Sequence, residues 1–373
     1  MKYGLRKLVG VIFVVFCSLC AVNSVSAIGV TSTMTVGQSP EGIAYDSGKS
    51  EIFVSSMTNN TVSVISDSTN TVVATIPVGN APRGLVYDSG KGEIFVTCFN
   101  DNKVYVISDE TNQVIANVTV GQYPAYAAYD SGKGEIFVSN VGIYGSGMVS
   151  VISDSTNKVV ANVSVNGLEP RALCYDSGKG EIFVPCTSGD GPIYVISDSN
   201  NTIVATILLP ETASIREPWA TCYDPSKGEI FVTNADNTVS IISDITNTIV
   251  ASLNVRTGPA GFAYDSGKGY IFVANQYNDS VSVISDSTNA VVATVTVGRY
   301  PKMLAYDSAK GEVFVGNSYV NTVSVISDST NVQPGNGGQQ NNTNTSGKKS
   351  TPGFELLIVI GAAAFVLFLK RKR

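Results

Sequence analysis

The segment Tyr87-Asp-Ser-Gly-Lys-Gly-Glu-Ile-Phe-Val96 recurs in near-copies that begin at Tyr45, Tyr129, Tyr175, Tyr223, Tyr264 and Tyr306. The seven copies are spaced by 42, 42, 46, 48, 41 and 42 residues. A period in the forties, with short strands and turns inside each unit, is what a radial β array looks like in sequence. One repeat reads as four strands. In Glu41-Gly-Ile-Ala-Tyr45, large residues (Ile43, Tyr45) alternate with small ones (Gly42, Ala44). The large set can fill space between sheets while the small set lets backbones approach. Asp46-Ser-Gly-Lys49 is an Asx-type turn with a glycine available for positive φ, and Glu51-Ile-Phe-Val54 is the second strand. Thr61-Val-Ser-Val-Ile-Ser66 is the third, Asp67-Ser-Thr-Asn70 turns the chain, and Thr71-Val-Val-Ala-Thr-Ile-Pro-Val78 is the outermost. Pro77 is tolerable there because an edge strand has unpaired positions.

Strand counting then predicts the closure. The last repeat ends near Asn331 without an outer strand, whereas Val30-Thr-Ser-Thr-Met-Thr-Val-Gly37 matches the outer strand Val291-Val-Ala-Thr-Val-Thr-Val-Gly298. The N-terminal strand is therefore expected to complete the last sheet. The fold class that follows is all-β: a seven-bladed β-propeller with four-stranded blades over residues 28–331.

Composition narrows the chemistry. Charged residues make up only 14%, the net charge is −6, and histidine is absent. An acidic chain without a basic stripe gives no reason to expect nucleic acid. Lack of histidine removes the commonest general base and the commonest transition-metal ligand, so neither a cofactor nor a metal is expected. Asn100-Asp-Asn102 lacks the ligand spacing of a calcium loop and reads as turn chemistry. Of six cysteines, Cys17 and Cys20 lie in the leader. Cys174 and Cys222 occupy the slot filled elsewhere by Ala44, Ala128, Ala263 and Ala305, which suits small apolar residues, a disulfide being the alternative. Cys98 and Cys186 sit in non-adjacent repeats, and no spacing matches a zinc site.

The two ends differ from the repeats. Residues 1–27 read as a signal peptide, with Lys2, Arg6 and Lys7 before an apolar run and Val25-Ser-Ala27 at the cleavage point; a retained anchor is the alternative. Residues 332–351 form a polar tether, and residues 352–373 an apolar segment with a basic tail, Lys370-Arg-Lys-Arg373. The tail places the C-terminus inside and the propeller on the extracellular face, membrane-anchored at the cell surface.

Ile136-Phe-Val-Ser-Asn140, Ile230-Phe-Val-Thr-Asn234 and Ile271-Phe-Val-Ala-Asn275 resemble the YVTN family of β-propeller repeats, with Phe in place of that family's Tyr. The resemblance covers all seven repeats and implies a secreted or surface-layer setting, commonly archaeal. Pro352-Gly-Phe354, the apolar stretch and the basic cluster resemble an archaeal sorting signal of the PGF type. That resemblance implies cleavage and lipid replacement, a plain membrane helix being the alternative. Seven Asn-x-Ser/Thr sequons, at Asn59, Asn117, Asn162, Asn200, Asn278, Asn341 and Asn344, are candidate glycosylation sites.

Comparing repeats locates a site. The Asp-Ser-Gly-Lys-Gly and Ser-Asp-Ser-Thr-Asn turns are nearly uniform and share one face of a propeller; the loops on the opposite face vary. The residues after the loop prolines ring the channel mouth: Glu41, Arg83, Ala125, Arg171, Trp219, Ala260 and Lys302. The candidate binding set is Arg83, Arg171, Arg216, Trp219, Arg299, Tyr300 and Lys302, with Tyr123, Tyr126 and Tyr277 nearby. Aromatic platforms beside cations suit sugars, an acidic polymer or a protein loop.

Two function classes compete. Repeat uniformity, leader and anchor favour a non-enzymatic envelope or adhesion scaffold with a glycan or protein partner. The alternative is a propeller lyase, lactonase or dehydrogenase-like enzyme working through a carboxylate without histidine, for which Glu41, Glu169, Glu211 and Glu217 are the acids in the connections to inner strands.

Overall fold

The computed structural model describes residues 28–327, apart from 144, 167, 188, 189, 211–214 and 216. The leader, tether and C-terminal segment lie outside the described residues, as do Arg216, Asn341 and Asn344.

Among the described residues, 28 strands form seven four-stranded antiparallel sheets. Blade 1 runs Pro40–Asp46, Glu51–Ser56, Thr61–Ser66 and Thr71–Pro77 from the centre outward. Each expected strand is present: the inner one gains a residue at each end, the second extends to Ser56, the third has the expected bounds, and the outermost ends at Pro77 rather than Val78. The inner strand of every blade touches those of both neighbours, which closes the ring. In the seventh blade Gly29–Thr35 supplies the outer strand: it pairs antiparallel with Thr322–Ser327, Met34 opposite Val323 and Thr35 opposite Thr322. Closure thus joins segments almost 300 residues apart and leaves no incomplete blade.

The repeat's Ile-Phe-Val run explains how blades stack. Phe53, Phe95, Phe137, Phe183, Phe231, Phe272 and Phe314 are all essentially inaccessible. Phe53 packs with Ile94, Val96 and Ile107 of blade 2, and Phe314 with Ile52, Val54 and Ile65 of blade 1. The same contact recurs at each junction, one blade's Phe against the next blade's Ile and Val. Burying one such ring stabilises the fold by about 1.5–3 kcal/mol.

The uniform turns correct one expectation. Asp46 Oδ1 accepts from Gly48 N (2.8 Å) and Lys49 N (3.1 Å), as an Asx turn requires. The positive φ, however, falls two residues after that glycine, at Ser50 (58°) in blade 1 and at Gly92, Gly134, Gly180, Gly228, Gly269 and Gly311 elsewhere. Gly48 is small for another reason: a Cβ there would lie 2.7 Å from the Tyr87 hydroxyl of the next blade.

Blade 4 departs from the pattern. In blades 1, 2 and 5, Ser55, Thr97 and Thr233 use their hydroxyls to bond the next inner strand, at Arg83 O, Ala125 O and Ala260 O. Blade 4 has Pro185 in that slot, and its inner strand is reduced to Cys174–Asp176. Its upstream backbone instead bonds directly to blade 5, through Ala172 N to Trp219 O (3.1 Å) and Thr221 N to Ala172 O (2.9 Å).

Candidate functional site at the channel mouth

The central channel is nearly closed. Gly42, Gly84, Ala172, Ala220 and Met303 help to line a void of only about 60 Å³, and Tyr126, 5% exposed, lines it as well. Its ring meets Trp219 edge-on at 6.3 Å and 75°. A ligand arriving from the loop face therefore stops at the mouth.

Two clefts open there. The larger, about 560 Å³, is lined by Glu169, Arg171, Glu217, Trp219, Tyr300 and Lys302 among others. The smaller, about 360 Å³, includes Gln38, Glu41, Met57, Tyr300 and Tyr319. Tyr300 belongs to both and stands at φ 60°, as Tyr123 does at 58°. The equivalent slots in other blades hold Ser39, Ala81 and Gly258, also at positive φ. A bulky side chain in the left-handed region is costly, so two tyrosines there mark backbone strain retained on the loop face.

Between the clefts, Lys302 Nζ donates to Glu41 Oε2 at 3.3 Å, with the side chains 17% and 10% exposed. The pair joins blade 7 to blade 1 and is the most enclosed ion pair at the mouth. Arg171 donates to Glu169 Oε2 (2.7 Å) and to Thr187 Oγ1 (3.0 Å) and lies 4.7 Å from the centre of the Trp219 ring. Glu169 is 47% exposed, so this second pair orients the guanidinium more than it stabilises the fold. Lys302 also lies over Tyr300 at 5.2 Å, and Tyr277 meets Tyr300 edge-on at 5.7 Å. Burial, then the Tyr277 hydroxyl and the Glu41 charge, push the Tyr300 phenol up to about 12. Burial and Glu41 do the same to Tyr126, against the opposing pull of Arg83 and Arg171. Both phenols thus stay protonated, and Tyr300, which lines both clefts, can donate to an oxyanion.

Of the predicted set, Arg171, Trp219, Tyr300 and Lys302 gather on one cleft. Arg83 stacks on Phe99 (3.7 Å) across the mouth, and Arg299 stacks on Tyr319 (4.3 Å) beside the smaller cleft. Arg216 lies outside the described residues. Asn237, Gln276 and Thr257, which also line the larger cleft, escaped the sequence reading because they sit in turn slots that look structural. The sequons at Asn59, Asn117, Asn162, Asn200 and Asn278 are all exposed. Asp101 behaves as turn chemistry, accepting from Asn80 N (2.8 Å) and the Tyr105 hydroxyl (3.2 Å). Cys98, Cys174, Cys186 and Cys222 are free thiols, and burial pushes all four up, Cys98, Cys174 and Cys186 to about 12. Among the described residues no three His, Cys, Asp or Glu side chains are gathered to hold a metal ion.

A family model described as Arylesterase matches residues 9–122. That stretch is less than half of the chain; its described part holds the outer strand of blade 7, blade 1 and blade 2, and with them Glu41 and Arg83. The match overturns the expectation of a non-enzymatic scaffold: the chain is similar to an enzyme family, and the reading that kept a carboxylate enzyme as the alternative fits better. Absence of histidine misled because it removes only the commonest base, and it says nothing against a carboxylate. No curated protein matches the chain. Among solved structures, the Kuenenia stuttgartiensis hydrazine synthase is similar, with a TM-score of 0.69 and 16% identity over 78% of this chain and 95% of that one. The Cps50 (Swd1) β-propeller domain of Myceliophteria thermophila gives 0.67 and 10%, over 81% and 99%. At such identities the likeness concerns the fold alone.

Proposed function

We propose that the protein is a propeller hydrolase acting on esters or lactones at the channel mouth, with Glu41 as the general base. The observation that carries this reading is the coincidence of the Arylesterase match with the enclosed Glu41–Lys302 pair. In the proposed step Glu41 takes a proton from water as the water oxygen bonds the acyl carbon. The carbonyl oxygen becomes an oxyanion facing the Tyr300 hydroxyl and the Lys302 ammonium. The C–O bond to the leaving group then breaks, and the proton on Glu41 passes to the departing alkoxide. Trp219 and Tyr277 offer an apolar wall for the aryl or acyl part.

The setting follows the sequence: an exported enzyme, anchored at the cell surface, with YVTN-type repeats and a PGF-type C-terminus, and with esterified envelope glycans as its natural partner class. Protease shaving of intact cells tests the location.

Assay of the full chain with phenyl acetate and a simple lactone tests the chemistry. The expected result is turnover that Glu41→Gln lowers by roughly 10²–10⁴-fold. Absence of turnover, or a Glu41→Gln variant with full activity, overturns the reading.

A further inference from the structure

We propose that the channel mouth carries a carboxylate subsite at Arg83, so that the ester or lactone hydrolysed there bears a carboxylate of its own. For its substrate this rests on the hydrolase reading above. The structure describes four arginines, and they differ in what they hold. Arg171 has Glu169 and Thr187 as acceptors. Arg256 and Arg299 are exposed, so water serves them. Arg83 is half-buried, and its Nε is shut off from solvent and meets no acceptor. The other cations of the ring, Arg171 and Lys302, each hold a glutamate, whereas no carboxylate among the described residues pairs with Arg83. A guanidinium drawn out of water without a counter-charge is costly, so a partner is called for.

What holds the side chain in place is aromatic rather than acidic. The guanidinium carbon lies 3.7 Å from the centre of the Phe99 ring, and Phe99 stacks in turn on Tyr123 at 4.8 Å and 24°. A ring face attracts the charge but gives the N–H groups no acceptor. The stack joins blades 2 and 3, and its last member, Tyr123, is kept at φ 58°. Strain of this kind persists where the surroundings impose it, and it gathers at ligand sites. In blade 7 the corresponding tyrosine, Tyr300, stands under Lys302 in the proposed active site. Each strained tyrosine therefore backs a cation of the mouth: Tyr300 directly, Tyr123 through Phe99.

The main chain fixes where Arg83 stands relative to the proposed base. Arg83 O accepts from Ser55 Oγ of blade 1 at 2.5 Å, and a Cβ on Gly42, the residue after Glu41, would collide with it. Glycine at 42 thus lets the inner strands of blades 1 and 2 close up at the mouth. Lys302, Glu41 and Arg83 are consecutive around the ring, in blades 7, 1 and 2, the first two joined at 3.3 Å.

Charge selects the ligand. Lys302 and Glu41 neutralise each other, which leaves the single positive charge of Arg83 with Glu41 as its neighbour on the ring. A singly charged carboxylate balances that charge and matches the fork of a guanidinium. A phosphate dianion would bring a surplus negative charge up to Glu41.

Phenyl half-esters of succinic, glutaric and adipic acid, each against the phenyl ester of the uncharged acid of equal length, test the subsite in the full chain. The series of lengths allows for the span between Glu41 and Arg83, and rates are corrected for uncatalysed hydrolysis. The expected result is a kcat/KM roughly ten- to a hundredfold higher for the half-ester at the best length, as a charge-assisted hydrogen bond gives. That ratio should fall toward one in Arg83→Gln and shrink in high salt. Equal rates at every length, or a preference that survives Arg83→Gln, overturns the proposal. Should that variant not fold, Arg83→Lys replaces it: the fork is lost, and an undiminished preference overturns the proposal. A chain that hydrolyses no ester sinks the hydrolase reading alone, and calorimetry then decides the subsite. Succinate, glutarate or adipate should bind the parent and bind Arg83→Gln tenfold or more weakly, with the diamides as uncharged controls. Diacids that do not bind, or that bind no better than their diamides, overturn the subsite.

Discussion

The two faces of the disc carry the same backbone and opposite uses of it. On the turn face, one slot holds one residue type around the ring: an Asp capping the turn, a Lys reaching the next blade's carbonyl, a Tyr leaning on the previous blade's Asp. On the loop face the backbone also repeats, in every blade but 4 and 5. Ala81 N, Tyr123 N, Gly258 N, Tyr300 N and Ser39 N each bond an Asn or Asp side chain of the adjoining loop at 2.9–3.0 Å. There the side chains differ completely. Repetition of hydrogen bonds secures the fold on both faces, so uniform side chains signal an interaction shared by all blades, and varied ones signal local tasks.

The comparison breaks first at the level of turnover. Glu41→Gln is expected to cost the largest factor, through the lost base, with a smaller fall in melting temperature, because the amide still accepts from Lys302 but leaves its enclosed ammonium without a counter-charge. A core change should do the reverse. Phe231→Ala empties a fully buried ring site between blades 5 and 6 and is expected to lose about 3–5 kcal/mol in denaturant melts, at unchanged turnover per folded molecule.

Trp219→Ala comes next. It removes the ring between Arg171 and Tyr126, with an expected rise of roughly tenfold in KM for aryl esters, as befits a lost contact of ~1–2 kcal/mol. kcat should change less. Equal loss in both parameters would place Trp219 in the chemical step and redraw the boundary between platform and catalytic group.

How much of this was legible beforehand depends on distance along the chain. The four strands of a repeat, the closing strand and the buried Phe all follow from local alternation and strand counting, because every blade prints the same pattern. Glu41 and Lys302 were each visible as residues after a loop proline. Their pairing was not, since it spans 261 residues and needs the ring to be closed. The disruption of blade 4 hid in one letter, Pro185 where blades 1, 2, 3 and 5 have Ser or Thr, and its consequence lies in a neighbouring sheet. Function was misread because composition weighs residue types and cannot weigh one enclosed carboxylate.

Tyr300→Gly separates strain from use on the loop face. At φ 60° glycine relieves a bulky residue, and the expected gain is about 1 kcal/mol in stability, while losing the phenol that faces the oxyanion lowers kcat. A variant that turns over as fast as the parent would make Tyr300 a passive passenger of the loop.

The smallest effect tests the same backbone principle on the turn face. Ser50 stands at φ 58° in a slot that is glycine in all six other blades. Ser50→Gly relaxes the left-handed strain, worth about 1 kcal/mol. It also removes the Ser50 hydroxyl from the Tyr45 phenol, which burial and Asp307 already push up to about 12. A phenol still facing Asp307 keeps a partner, so the loss is small, and the net expectation is a gain of about 0.5 kcal/mol, or a degree or two in Tm. A fall in stability instead would mean that the serine serves the closing junction between blades 7 and 1. The turn face would then hold one local task of its own, at the point where the ring is sealed.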